Sequence, residues 1–198
     1  MNAPLRFGAV VLAAGASTRM GSPKQLVAHE GEPMVRRAAI AAADADADPV
    51  IVVLGASADL VAPSLFGLTP PITTVVNMNW EQGLASSLVT GLRVLEDSTP
   101  YDAVLVTLAD QPFVDAEALK RLVAAFDDKH RIVASTYNDI IGVPAVFARE
   151  YVADLMQLQG DSGAGQWLRR RSAEVTTIPL DAGGIDIDTP ADATRLRK

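Results

Sequence analysis

The sequence predicts an α/β fold: a single three-layer, Rossmann-like domain over residues 1–198, built on a mostly parallel sheet. Three observations point there. Strand-like and helix-like runs alternate along almost the whole chain. The strand-like runs, such as Val50-Ile51-Val52-Val53-Leu54, are continuously apolar, as expected of strands covered on both faces. Hydrophobic residues make up 49% of the chain but aromatic ones only 5%, so small side chains must form the helix-to-sheet contacts. A chain of 198 residues can bury a sizeable core.

In order, a first strand is expected over 8–13, followed by a loop of small residues. Pro33 suits the first turn of a helix over 34–43. The run Asp44-Ala45-Asp46-Ala47-Asp48 ends that helix as a solvated connector, and Pro49 opens a strand over 50–54. A helix over 58–65, a strand over 72–76, a helix over 84–95 and a strand over 102–108 follow. Asp115 reads as the N-cap of a helix over 115–126. Beyond it the alternation loosens. Strands over 131–135 and 143–147 are separated by a turn, and one antiparallel strand is expected. A helix over 149–158, a loop over 160–165, a short helix over 166–171 and a strand over 174–178 come next. Thr189-Pro190 opens a C-terminal helix.

Composition excludes several functions. A net charge of −7 leaves no basic footprint for nucleic acid. The absence of cysteine rules out thiolate nucleophiles, disulfides and Cys-ligated metals. His29 and His130 stand far apart, in no metal-ligand spacing, and read as surface residues. No apolar run approaches the roughly 18 residues of a membrane span. The N-terminus is too short and polar for a secretory leader, so a cytoplasmic protein is expected.

In parallel sheets, ligands bind beyond the carboxyl ends of the strands, near the point where strand order reverses. That rule collects three loops on one rim: 15–24, 77–83 and 109–112. The first follows the strand Val10-Val11-Leu12-Ala13 and carries two separated cations, Arg19 and Lys24. Small residues let backbone N–H groups approach phosphate oxygens, while the cations neutralise charge. Five residues separate Gly15 from Gly21, and Lys24 stands three beyond Gly21, so the loop is not a P-loop. A dinucleotide G-x-G-x-x-G is also missing.

The spacing of Leu12, Gly15, Arg19, Met20, Gly21 and Lys24 instead resembles the signature of sugar- and cofactor-nucleotidyltransferases, L-x-x-G-x-x-x-R-M-G-x-x-K. The likeness continues in Trp80-x-x-Gly83-Leu84-Ala85-Ser86-Ser87-Leu88, Ala109-Asp110-Gln111-Pro112, Gly160-Asp161-Ser162-Gly163-Ala164 and Asp186-Ile187-Asp188-Thr189-Pro190. Together these motifs are similar to the molybdenum-cofactor nucleotidyltransferases, in particular the molybdopterin cytidylyltransferase branch.

The resemblance implies a nucleotide-diphospho-sugar-transferase-like fold. It also implies attack by an acceptor's phosphate on the α-phosphorus of a nucleoside triphosphate. The nucleotide would be bound by Leu12, Ala13, Ala14, Gly15, Arg19, Lys24, Gly83, Ser86, Ser87 and Asp110. Arg19, Lys24 and Asp110 would be catalytic: Arg19 gripping the β- and γ-phosphates, Lys24 serving the α-phosphate. Asp110 and Asp188 would hold Mg²⁺, with Asp186 in reserve. Ala13-Ala14-Gly15 favours CTP over GTP. The partners implied are a phosphorylated small-molecule acceptor, such as the molybdopterin cofactor, and transiently a molybdoenzyme or its chaperone.

The acceptor side, expected at Gly142, Pro144, Gly160, Asp161 and Gly163, departs from the branch's pattern. Val143 stands where a His is expected, Ile140 or Ile141 where a cation is, and Gly165 where an Arg is. Arg169-Arg170-Arg171 reads either as a compensating cationic patch or as a basic helix C-terminus. Two alternatives follow: a nucleotidyltransferase for another phosphorylated acceptor, and a non-catalytic nucleotide-binding accessory protein.

Overall fold

The first strand, β1 (Phe7–Ala13), is buried along its whole length and lies inside a seven-stranded sheet. The computed structural model describes residues 5–196; the polar start of the chain, over 1–4, and residues 197–198 lie outside the described residues. A 3-10 turn at Lys24–Leu26 and a small hairpin, β2 (Ala28–His29) with β3 (Glu32–Pro33), lead into α1 (Met34–Asp44). β4 (Val50–Leu54), α2 (Ala58–Val61), β5 (Thr73–Val76), α3 (Leu84–Glu96), β6 (Ala103–Leu108) and α4 (Ala116–Ala124) continue the alternation. The hairpin of β7 (Ile132–Tyr137) and β8 (Ile140–Ala148) comes next. α5 (Val152–Leu155), α6 (Ala164–Arg170), β9 (Thr176–Pro179) and α7 (Pro190–Arg195) complete the described chain.

The strand order is β5-β4-β1-β6-β8-β7-β9. β8 alone runs against the others, pairing antiparallel with both β6 and β7, as the expected single antiparallel strand. Alternate residues of β1 serve two cores. Ala9, Val11 and Ala13 pack under α1 and α4, through Val35, Ala39, Leu119 and Leu122. Val10 and Leu12 pack under α3, α5 and α6, through Leu88, Leu92, Leu155 and Leu168. The result is the predicted three layers. No helix among the described residues is long and apolar enough to cross a membrane.

Several boundaries differ from expectation for local reasons. The helix expected over 58–65 becomes α2 and then a 3-10 turn, Ala62–Leu65, because Pro63 has no N–H to donate. Asp115 caps α4 as expected, accepting the Ala118 N–H at 2.8 Å, but the helix ends at Ala124. The helix expected over 149–158 is a 3-10 turn, Arg149–Tyr151, followed by α5. α6 begins at Ala164, two residues before the expected 166, and so contains Gly165. Glu174 belongs to a 3-10 turn, and the last strand starts at Thr176. The β2–β3 hairpin has no clear signal in the sequence.

Candidate active site

The chain leaves β1 at Ala13 and reverses at Ser17 (φ 55°) and Gly21 (φ 70°), both in the left-handed region. Ser17 is held there from both ends. Its carbonyl accepts the Met20 N–H at 2.9 Å, and its hydroxyl accepts the Lys24 N–H at 3.0 Å. That hydroxyl also donates to Gln25 Oε1 at 3.3 Å. Gln25, only 3% exposed, turns its Nε2 onto the carbonyls of Ala13 and Gly15, each at 2.8 Å. One buried amide therefore clips the loop back onto the end of β1. Sequence reading missed Gln25, whose only signal is a polar residue directly after Lys24 where the chain turns inward.

The clipped loop brings its cations to two distant carboxylates. Lys24 Nζ lies 2.5 Å from Asp110 Oδ2 and 2.8 Å from Asp188 Oδ1. Arg19, largely exposed, reaches the other oxygen of Asp188 at 2.8 Å. Burial alone would lower the Lys24 ammonium, but Asp110 and Asp188 outweigh it and hold it above its usual value. The Lys24 hydrogen bond in turn holds Asp188 below the usual carboxylate range, with Arg19 adding to the effect.

The position of Asp188 follows from the segment around it. Thr189, not Asp188, caps α7: its hydroxyl accepts the Asp192 N–H while the Asp192 carboxylate accepts the Thr189 N–H at 2.9 Å. Asp188 is thereby left to the cations. The Ile187 N–H donates to the Asp110 carbonyl at 3.1 Å, tying this strap to the β6 loop. Asp186 joins the same acidic group. Partial removal from water, then Asp110 and Asp188, push its carboxyl up to about 6, against the pull of Lys24.

The arrangement suits a cation. The Asp110 Oδ1 is buried with no partner, Asp110 Oδ2 and Asp188 Oδ1 converge on the Lys24 ammonium, and Asp188 Oδ2 meets Arg19. Among the described residues, no cluster of three or more His, Cys, Asp or Glu is arranged around one metal position. A divalent ion here would rest on two carboxylates and complete its shell with ligand oxygens and water.

Beside this cluster lies a cleft of about 430 Å³. The sheet side is Leu12 to Ala16 and Leu108 to Asp110; the facing wall includes Trp80, Gly83, Leu84, Ser87 and Asp161. The three loops expected on one rim therefore do meet. Gly83 is required at its position: its φ is 98°, and a Cβ would come within 2.4 Å of the Gly160 carbonyl. Asn77, at the end of β5, donates to both Ser86 and Ser87 hydroxyls, at 2.8 and 3.0 Å. Only Ser87 borders the cleft. Ser86 lies outside it, because its hydroxyl is turned to the carbonyls of Gly83 and Asn79, which closes the first turn of α3.

The residues expected to bind the acceptor separate into a wall and its supports. Asp161 borders the cleft, while Gly160 and Gly163 pack against Gly83 and Leu84. The β7–β8 pairing slips between Ala134↔Ala145 and Ser135↔Gly142, so Val143 and Pro144 form a bulge. Pro144, with no N–H for the ladder, fits there, and its carbonyl accepts the Ser135 hydroxyl. Gly142 and Pro144 thus shape the wall and lie outside the cleft lining. Gln111, 3% exposed, donates to the carbonyls of Val143 and Gly183 and ties the bulge to the strap. The Tyr137 hydroxyl stands over Gly142 and donates to the Val143 carbonyl at 3.3 Å. Gln111 lies in a loop expected on this rim but with no role assigned to it, and Tyr137 was not expected at the site.

Residues 9–175 match the family model described as a MobA-like NTP transferase domain. Among curated relatives, the nicotine blue oxidoreductase of Paenarthrobacter nicotinovorans is 30% identical, with 94% of each chain aligned. The purine catabolism protein PucB of Bacillus subtilis (strain 168) is 29% identical over 100% of this chain and 98% of its own. Among solved structures, Rv0371c from Mycobacterium tuberculosis H37Rv superposes with a TM-score of 0.78, 29% identity and 98% of both chains covered. Its complex with manganese gives a TM-score of 0.75 at 28% identity, covering 96% of this chain and 97% of that one.

Proposed function

The chain belongs to the MobA-like NTP transferase family and is a nucleotidyltransferase; we propose that, as one domain over 1–198, it transfers CMP from CTP to a phosphorylated small-molecule acceptor such as the molybdenum cofactor. The observation that carries this reading is the convergence of Arg19, Lys24, Asp110 and Asp188 beside a cleft floored by Ala13 to Ala16.

In the reaction, an acceptor phosphate oxygen bonds to the α-phosphorus as the bond to the bridging oxygen breaks, and pyrophosphate leaves with that electron pair. Positioning and charge neutralisation suffice, so no nucleophilic side chain is needed. The Arg19 fork grips two oxygens of the β- and γ-phosphates. The Lys24 ammonium, released from a carboxylate, meets the charge that grows at the α-phosphate. Asp110 and Asp188 are the residues that would hold Mg²⁺, and the orphaned Asp110 Oδ1 fits that role. When bound, such an ion neutralises phosphate oxygens and orients them. The manganese complex of Rv0371c, a protein similar over nearly its whole length, supports a divalent cation. Ala13-Ala14-Gly15 supports CTP over GTP, and a transient handover to a molybdoenzyme or its chaperone fits such a product.

A thermal-shift screen of nucleoside triphosphates with Mg²⁺ tests the reading, because a ligand that binds only the folded state raises its melting temperature. CTP should give the largest shift and should release pyrophosphate when a phosphorylated acceptor is added. No shift with any triphosphate would overturn the proposal.

A second reading, an oxidoreductase, rests on the likeness to the nicotine blue oxidoreductase of Paenarthrobacter nicotinovorans, 30% identical over 94% of both chains. Redox turnover that depends on this protein and needs no triphosphate would favour it.

A further inference from the structure

A groove of about 490 Å³ backs onto the cleft without sharing a lining residue with it. One bank is a face of α3, where Ser86, Val89, Thr90 and Arg93 recur every three or four residues. The other bank is the chain that follows α5, from Met156 to Gly160. The groove is built in advance of any ligand. Met156 and Leu158 pack against the core beneath α3. Asn77, only 3% exposed, donates to the Ser86 hydroxyl and accepts the Asn79 N–H at 2.9 Å, which ties the loop after β5 to the helix.

Two stretches of chain separate groove from cleft, and each gives its carboxylate to the cleft. In the first, Glu81 borders the cleft while Asn79 and Gln82 border the groove. In the second, Asp161 borders the cleft while Gln159 and Gly160 border the groove. Within a chain of net charge −7, the groove is thus lined by one cation, Arg93, and no carboxylate. The Arg93 guanidinium and the side-chain amides of Asn79, Gln82 and Gln159 make no hydrogen bond or ion pair among the described residues. A basic residue in the last turn of a helix offsets the dipole there and by itself implies no ligand. Here three uncommitted amides share one hollow with it. The arginine-lined hollow where β1 and β6 begin is different: its Arg6, Arg131 and Arg149 are already paired, with Asp102, Glu150 and Glu96.

We propose that this groove binds a small organic anion at a site separate from the cleft. Arg93 takes one phosphate or carboxylate group, because a guanidinium offers paired N–H donors to either. The amides of Asn79, Gln82 and Gln159 take hydroxyl or amide groups on the body of the ligand, since a primary amide both donates and accepts. A hollow of this volume is in the range that admits a small molecule. The site does not depend on the nucleotidyl-transfer reading, whose charged residues all lie at the cleft.

Sorbitol phosphate and gluconate are the probes, with sorbitol and inorganic phosphate as controls. Each is titrated into the isotope-labelled full chain at constant ionic strength, and the backbone amides of 89–93 and 159–160 are followed by NMR. At least one of the two organic anions should shift those amides saturably, and binding by both assigns the site to oxyanions in general. Sorbitol should give no shift, and inorganic phosphate should bind several-fold more weakly than the better probe. Arg93→Ala should weaken that probe about tenfold or more, and Arg93→Lys should recover part of the loss. Lys24→Met, which alters the cleft, should leave its affinity within about twofold. No saturable shift with either anion overturns the proposal, as does unchanged binding in Arg93→Ala. An equal loss in Lys24→Met also overturns it, because the shifts then belong to the cleft. Inorganic phosphate binding as tightly as the better probe overturns the role given to the amides.

Discussion

The two sides of the cleft are built on different principles. The side proposed to take the triphosphate is dense in charge and tied across the chain: Arg19 and Lys24 meet Asp188, Lys24 also meets Asp110, and Gln25 clips their loop to β1. The α6 side is built by shape. Gly83 lets the backbone of Gly160 come close, Gly142 and Gly163 make room for the Tyr137 and Leu84 side chains, a bulge turns Val143 and Pro144 out of the ladder, and Arg169 is its outlying cation. Charge suits what every triphosphate shares. Shape suits what distinguishes one acceptor from another. Substitutions on the first side should therefore abolish turnover, and those on the second should retune it.

The largest effect should come from Asp110→Ala. Pyrophosphate release should fall about a thousandfold, and the thermal shift with CTP and Mg²⁺ should vanish. A variant that keeps both would remove the charged side from the chemistry. Lys24→Met should lower kcat about a hundredfold. It also separates two roles of that ammonium. Without nucleotide, the Met variant should bind Mn²⁺ more tightly than wild type by electron paramagnetic resonance, because nothing then competes for the carboxylates. Weaker Mn²⁺ binding would count against the shared position.

Gln25→Ala leaves the carbonyls of Ala13 and Gly15 without their buried donor, at a stability loss of about 1–3 kcal/mol. Its chemical-denaturation midpoint should fall, and the KM for CTP should rise while that for the acceptor stays put. The smallest effect is expected at Asp186. Its carboxyl binds a proton more tightly in the folded chain, so its contribution favours folding at low pH and is lost as pH rises through about 6. In metal-free buffer, Asp186→Asn should melt about 2–4 °C above wild type at pH 8, and the difference should close near pH 4. The gain is modest because solvent reaches the side chain.

What could be read from the sequence divides along the same line. The fold was legible because buried strands such as Val50–Leu54 advertise themselves by continuous apolarity, and α4 by the cap at Asp115. The cationic loop after β1 was legible because its cations stand at fixed offsets within a few residues of one another. Asp188 required the resemblance, since nothing local says that a carboxylate so far downstream meets Lys24. The other side was harder. The value of Gly165 lies in its contact with Gly142, which no periodicity records, and its weak helix propensity argued for starting α6 too late. Tyr137 looks like one more strand residue until Gly142 is seen beneath its hydroxyl. Ser86 matched a motif, yet the helix it opens uses its hydroxyl internally.

The pairing of Arg19 and Lys24 with Asp188 spans 169 and 164 positions along the chain. During synthesis Lys24 therefore leaves the ribosome 164 residues ahead of one of its carboxylate partners. β5, β4, β1 and β6 can pair once residue 108 has emerged, but Lys24 must then make do with Asp110 alone. Closing so long a loop is a late event with a slow entropic toll. A nascent chain would have its sheet before it has its full charge cluster, and any fragment released short of residue 188 would fold around an unfinished site.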